Sequence, residues 1–377
     1  MYTTIADEPN MIVLGHGNIG SAFATQFRTV CGRNVVAIVG RSGGSIVIPN
    51  DAILSQFAQQ SNDQKRESLD ATITLDGLVE DFGGKDRVVI IDASSNSDPN
   101  AHTELFEKGF RIISANKNPL GLGDISTAQQ MLSSNTYGWE ATVMAWQGAL
   151  RFVGDERLNQ WYKWPIESIQ RIDLIWSGTL SGIAGELASW VEYSVAVKNA
   201  IKRGDTEPNP NDDMDGMDLA KKLVIIARKA WYSVSIDNVR FWNGFLDESF
   251  RTEFEWQDWW DKNRETETQK NFIEKIALRK DAEMRDIIEN RKPLVPRYVG
   301  RMVRNITWGV DLSVSIEFVS ADSEHCAAKY NKIIMTVERW PEAPTDTKTL
   351  SGRGAGPVQT AQWLIRDFNG IMRSKNT

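Results

Sequence analysis

The stretch MIVLGHGNIGSAFA, residues 11–24, passes from an apolar run into Gly15, Gly17 and Gly20 and then into small and apolar residues suited to a helix. The G-x-G-x-x-G spacing between a strand and a helix gives each glycine a separate task. The first permits a tight turn, the second lets a pyrophosphate approach the backbone, and the third lets helix pack on strand. Asn18, Ile19 and Gly20 would then open the helix at its positive end, facing that pyrophosphate. A purely structural strand-to-helix turn is the alternative, and the neighbouring segments argue against it.

Short β-branched runs recur through the first 120 residues as MIVLG, NVVAIVG, RVVIIDAS and FRIISAN, alternating with helix-like stretches. Strands this apolar are buried on both faces, which predicts a parallel sheet covered by helices. The polar stretch QQSNDQKRESLDATI between the second and third runs reads as a surface connection. The second strand leads into Gly40, Arg41 and Ser42, at the place where NAD-binding proteins present an acid to the ribose 2′-hydroxyl. A cation and a hydroxyl suit a 2′-phosphate instead, so NADP(H) is expected over NAD(H). A solvated loop cation is the other reading of Arg41.

Composition narrows the class. Lys and Arg number 43 against 50 Asp and Glu, a net charge of -7 that offers no footprint for nucleic-acid phosphates. Two cysteines, Cys31 and Cys326, and three histidines argue against a disulfide framework or a Cys/His zinc site, and point to a reducing compartment, the cytosol. No apolar run reaches the length of a membrane span, and the first ten residues are acidic where a secretion signal would be basic.

Beyond residue 140 the pattern changes to amphipathic segments and aromatic-rich turns, with GDTEPNPNDDMDG at 204–216 as the clearest loop. Leu219, Ala220, Leu223, Val224, Ala227 and Ala230 then recur at helical spacing. Asp218 and Lys222 stand four apart on that helix, one above the other. Lys222 is flanked by Leu219, Leu223 and Ile226, a setting that partly desolvates an ammonium and suits proton exchange with a carbonyl oxygen. An exposed ion pair of a few tenths of a kcal/mol is the alternative.

Several blocks narrow the reading further. VVIIDASS and RIISANKNPL resemble the D-x-S/T-S and S/T-A-N-K segments of homoserine dehydrogenases, WEATVMA their E-A-T-V-x-A segment, and IWSGTLSGI their S-G-T-L-S-x-I turn. TEPNPNDDMDGMDLAKKL resembles their acidic loop and helix start, and LSGRGAGPVQTAQWLIRDF their G-x-G-A-G segment with its helix. The blocks stand in family order along nearly the whole chain. The resemblance implies a short form without the amino-acid-sensing regulatory domain of some members.

That family resemblance implies roles for individual residues. Lys222 and Lys117 become catalytic candidates, with Asp218 orienting Lys222. Glu207 would hold the substrate amino group, with Asp213, Gly178 and Thr179 nearby. Ser94, Ser95 and Lys117 would reach the nicotinamide ribose, and Gly356 would join the cofactor site. Glu140, with the carbonyls of Val143 and Ala145, resembles a monovalent-cation site suited to sodium. Glu140 bonding loop amides is an equal alternative.

Two departures touch the substrate pocket. Trp146 stands where the family has glycine, and Asp205 where it commonly has a substrate-contacting tyrosine. The open alternatives to aspartate 4-semialdehyde and homoserine are therefore another amino alcohol or aldehyde, and a non-catalytic NADPH-binding protein.

The expected fold is α/β: a doubly wound Rossmann-type nucleotide-binding domain plus an α+β catalytic and dimerisation domain. The boundaries read 1–139, completed by 349–377, for nucleotide binding; 140–153 and 297–348 for a dimerisation sheet; and 154–296 for the substrate domain. A homodimer acting on a small amino-acid-like molecule, with no nucleic-acid or membrane partner, completes the expectation.

Overall fold

The computed structural model describes residues 9–32, 35–40, 43–143, 148–154, 166–203, 205, 215–242, 266–307, 309–326, 331–340, 345–352 and 356–373. The chain divides into two compact units, one of residues 1–154, 228–233 and 355–377, the other of 155–227 and 234–354.

The first unit is built on a six-stranded sheet in the order β3-β2-β1-β4-β5-β6. Its strands are β1 (Asn10–Leu14), β2 (Val35–Val39), β3 (Ser45–Val47), β4 (Val88–Asp92), β5 (Arg111–Ser114) and β6 (Tyr137–Gly138). All pairings are parallel except β2 with β3. The four apolar runs of the sequence form β1, β2, β4 and β5, and β4 and β5 are buried throughout. An unbroken apolar strand has no polar face to turn to water, so it must sit between helix layers. Helix α1 (Asn18–Cys31) buries Gly20, Phe23, Ala24 and Phe27 on one stripe and stops at Gly32, whose φ of 66° only glycine adopts without strain. Phe27 meets Phe368 edge-on at 5.0 Å, which seats the C-terminal helix Pro357–Arg373 on α1.

Two expectations need correction here. The polar stretch read as a connection contains a helix, Asn62–Glu67, started by a capping box in which Ser61 and Gln64 bond each other's backbone N–H groups. Its S-x-x-Q signature was present in the sequence. The described residues of 140–153 are not strands: Glu140–Thr142 is a 3-10 turn and 149–154 is helical. Glu140 explains the change, because its buried carboxylate accepts the Leu150 and Arg151 N–H groups at 3.2 and 3.0 Å and so caps the start of that helical stretch.

The second unit holds another six-stranded sheet, in the order β12-β11-β7-β9-β10-β8. Its strands are β7 (Ile166–Ile175), β8 (Val239–Trp242), β9 (Val295–Arg304), β10 (Val310–Val319), β11 (Asn331–Trp340) and β12 (Thr345–Gly352). They pair antiparallel except β10 with β8. The sheet therefore takes β7 and β8 from the 154–296 segment that had been set apart as substrate domain. Among the described residues the helices are α2 (Gly178–Ala188), α3 (Tyr193–Arg203), α4 (Met217–Lys229) and α5 (Thr266–Glu289). On α4, Leu219, Ala220, Leu223, Val224 and Ala227 are all fully buried, as their spacing required. A Cβ on Gly300 of β9 would lie 3.2 Å from the Leu219 side chain, so the bare glycine lets α4 come close to the sheet.

Candidate functional site

The glycine turn distinguishes its three members. Gly15 has φ of +101°, and a Cβ there would lie 2.8 Å from the carbonyl oxygen of Ala93 and 2.9 Å from Ser94 Cα. A Cβ on Gly20 would fall 2.0 Å from the Gly15 carbonyl oxygen, far inside contact distance. On Gly17 it would meet no atom of the described residues within 4 Å. The middle glycine thus faces open space at the start of α1, where no side chain caps the helix and the first turn carries no acid. Open space beside uncapped amides at a positive helix end fits a dinucleotide pyrophosphate. Asn18 is exposed and Ile19 partly so. Gly356 precedes the C-terminal helix, its carbonyl accepting the Thr360 N–H at 2.9 Å.

Two basic groups beside this turn were not singled out from sequence. Lys65, on the capped helix, is almost fully buried and donates to Ser21 Oγ on α1 at 2.8 Å. His16, inside the glycine turn, approaches the end of β2: a Cβ on Gly40 would lie 3.5 Å from its Cδ2. Burial lowers the His16 pKa, and the nearby charges of Lys65 and Arg66 lower it further. Burial likewise lowers that of Lys65. The signal for Lys65 was the helix start at Ser61, whose helix carries the lysine to α1. Arg41 and Ser42 lie outside the described residues.

At the carboxyl ends of β4 and β5, Asp92 Oδ1 accepts the Ser94 N–H at 2.8 Å. Ser94 is partly buried and Ser95 exposed. Lys117 precedes the short helix Asn118–Gly121 and is flanked by Asn116 and Asn118, both of which donate to the Asn96 carbonyl, at 3.0 and 2.7 Å. The loops that carry Ser94 and Lys117 are thereby tied together.

In the second unit, Lys222 Nζ lies 2.7 Å from Asp218 Oδ2, with the two side chains 13% and 10% exposed. The ammonium also donates to the Trp176 carbonyl at 3.1 Å. The exposed-pair alternative is overturned, because both groups are largely withdrawn from water. Trp176 is fully buried and leads, through the capping Ser177, into α2 with Gly178 and Thr179 in its first turn. Thr179 Oγ1 donates to the Asp205 carbonyl at 2.7 Å. The run 176–179 therefore has Lys222 bonded at one end and Asp205 at the other. Asp205 Oδ2 accepts from Arg203 Nε at 2.6 Å, so the added acid already has a cation within its own segment. Glu207, Asp213, Trp146 and Ala145 lie outside the described residues.

Glu140 sits among donors. It is 1% exposed, accepts the two amides named above and pairs with Arg151 Nε at 3.2 Å, while Asp367 accepts its backbone N–H at 2.9 Å. Burial, reinforced by the Asp367 charge, raises its pKa to about 8, and burial raises that of Asp367 to about 7. A carboxylate surrounded by N–H donors does not resemble a sodium ligand set, which needs several oxygens turned inward. The described geometry favours the loop-amide reading of Glu140 over the cation site, with Val143 buried nearby.

Comparison with known proteins agrees with this geometry. A family model described as homoserine dehydrogenase matches residues 163–368, more than half of the chain. The homoserine dehydrogenase of Saccharomyces cerevisiae is 27% identical over 393 residues, covering 95% of this chain and 96% of the yeast protein. The bifunctional aspartokinase/homoserine dehydrogenase 2 of Escherichia coli is 29% identical over 242 residues, covering 61% of this chain. The match covers 29% of that longer protein. A hyperthermophilic archaeal homoserine dehydrogenase, solved in complex with NADPH, shares the fold with a TM-score of 0.63 at 18% identity, covering 97% of this chain and 98% of that one. With the glycine turn, the lysine-bearing helix and the family match all in one chain, the protein belongs to the homoserine dehydrogenase family.

Proposed function

We propose that the protein is an NADP-dependent oxidoreductase interconverting aspartate 4-semialdehyde and homoserine. The observation that carries this reading is the withdrawn Lys222–Asp218 pair bonded to the turn that starts α2. A bound nicotinamide supplies or accepts the hydride. The chain's own groups do the rest. Asp218 fixes the position of the Lys222 ammonium, and Lys222 gives a proton to the aldehyde oxygen during reduction or takes it from the alcohol during oxidation. Lys117 is the second candidate for that proton. Glu207 and Asp213 hold the substrate's amino-acid end, with Gly178 and Thr179 shaping the adjoining turn. Asn18, Ile19 and Gly20 present the helix start to the pyrophosphate.

The preference for NADP(H) draws support from Lys65 and Arg66, which add positive charge near the end of β2 to that expected from Arg41. The Arg203 partner of Asp205, shared with Glu186, supports homoserine over a substrate with an additional cation, since that acid already has a cationic partner. A homodimer formed through the second sheet, in a reducing compartment, belongs to the same proposal. No helix among the described residues is long and apolar enough to cross a membrane.

The deciding experiment follows absorbance of the reduced cofactor with aspartate 4-semialdehyde and a panel of related amino aldehydes. Turnover with the semialdehyde, faster with NADPH than with NADH, is expected. NADPH binding without turnover on any member of the panel would make the protein a binder rather than an enzyme.

A further inference from the structure

Beneath the strand ends of the first unit lies a group of buried polar side chains that the proposed chemistry does not use. His102 is fully buried, with Nε2 2.8 Å from Asp92 Oδ2 and Nδ1 2.7 Å from the Tyr137 hydroxyl. Asp92 closes β4, Ser114 closes β5 and Tyr137 opens β6, so three adjacent strands contribute one residue each. The Ser114 hydroxyl donates to the Asn116 carbonyl at 3.1 Å, at the root of the loop that carries Lys117. Asp92 accepts at both oxygens, from His102 and from the Ser94 N–H. Nε2 of His102 therefore carries the proton, and Nδ1 accepts from the phenol. Burial, with the Asp92 charge second, raises the Tyr137 pKa, which keeps the phenol a donor.

Further links extend upward into the loops. Asn96 N–H donates to Ser94 Oγ at 3.3 Å, and Asn116 Nδ2 reaches the Asn96 carbonyl at 3.0 Å. The Asn116 N–H donates to Ser114 Oγ at 2.9 Å, and its Oδ1 accepts the Asn118 N–H at 3.0 Å. The chain of bonds therefore runs from Tyr137 through His102, Asp92, Ser94, Asn96 and Asn116 to Ser114. Its lower half is buried, and its upper half consists of the two loops that present Ser94, Ser95 and Lys117. A buried network with every partner satisfied favours one arrangement, because each alternative leaves a polar group unpaired in a dry interior.

We propose that His102 and Tyr137 are positioning residues that hold the 94–96 and 116–118 loops in their cofactor-receiving arrangement before the cofactor binds. The inference rests on the reading that these loops receive the nicotinamide ribose. Preorganised loops spare the ordering cost at the moment of binding, so the expected signature is in affinity as well as in fold stability.

Tyr137→Phe removes one hydroxyl and keeps the ring that packs edge-on against Phe106 at 6.2 Å. His102→Gln keeps a donor and an acceptor in one side chain and serves as the conservative rescue. Backbone hydrogen exchange of the free proteins, NADPH titration by fluorescence and thermal melting are measured together. In Tyr137→Phe, exchange accelerates at Ser94, Asn96, Asn116 and Asn118 relative to the rest of the unit, and the NADPH dissociation constant rises about tenfold. His102→Gln falls between this variant and the wild type. Unchanged local exchange and affinity in Tyr137→Phe, with wild-type NADPH binding intact, would overturn the inference alone, and so would a lowered melting temperature with unchanged affinity. Failure of the wild type itself to bind NADPH would overturn the functional reading and the positioning role together.

Discussion

Asp218 and Lys222 stand one turn apart on α4 with their charged atoms 2.7 Å apart, and the lysine's second partner is the backbone carbonyl of Trp176. The carbonyl fixes where the ammonium points, and the carboxylate holds it in place. A flexible surface lysine lacks both restraints.

From this arrangement Lys222→Ala is expected to lower kcat by about a hundredfold to ten-thousandfold, the range for a lost general acid or base. Asp218→Asn, which keeps a hydrogen-bonding side chain but removes the charge, should lower kcat by a smaller factor. NADPH binding by fluorescence should stay at the wild-type level in both. A fall in cofactor affinity matching the loss of kcat would argue that α4 is structural.

The three glycines should separate by substitution. Gly20→Ala places a methyl group against the Gly15 carbonyl and should melt several degrees lower, since no side-chain rotation relieves a backbone clash. Gly17→Ala meets nothing among the described residues and has an ordinary negative φ, so its melting temperature should be unchanged. Its methyl group nevertheless occupies the approach to the helix start, and NADPH affinity should fall by about tenfold or more. Equal stability loss in both variants, with affinity retained in Gly17→Ala, would remove the turn from the cofactor site.

Lys65→Met keeps the apolar stem of a nearly buried side chain and discards its charge. The ratio of kcat/KM for NADPH over NADH is expected to drop by about tenfold, as for loss of one charge-assisted contact to a phosphate. Melting curves should show whether the Ser21 contact alone was lost. An unchanged coenzyme ratio would confine Lys65 to a packing role.

The pair Glu140 and Asp367 predicts a pH effect whose sign can be worked out. Both carboxyls have folded pKa values raised, to about 8 and about 7, chiefly by burial. Between roughly pH 4 and 8 the folded state holds protons that the unfolded state has released, so these groups make stability fall as pH rises through that window. Arg151, bonded to both acids, moderates the effect. The melting temperature should accordingly be higher near pH 5 than near pH 8, other groups being equal. Asp367→Asn keeps an oxygen acceptor for the Glu140 N–H and should flatten the profile. A steeper profile in that variant would show that the two acids are held ionised.

Much of this molecule was legible before folding. The four buried strands of the nucleotide unit, the glycine turn and the α4 helix with its lysine all follow from periodicity or from local backbone chemistry, which operate over a few residues. Long-range pairing decided the remainder. Nothing local to residues 140–153 says that Glu140 will turn its carboxylate onto the Leu150 and Arg151 amides and wind a helical stretch where strand was expected. The 166–175 segment became a central strand because β9 and β11 offered it edges on both sides. Lys65 acquired its place beside the glycine turn only when a capped helix carried it to Ser21, 44 residues away in the chain. The buried bonds from Tyr137 through His102 to Asp92 draw on two strands and a connecting segment. Hydrogen bonds between residues distant in sequence exist only once tertiary packing removes the competing water, and the sequence alone determined the elements, not those bonds.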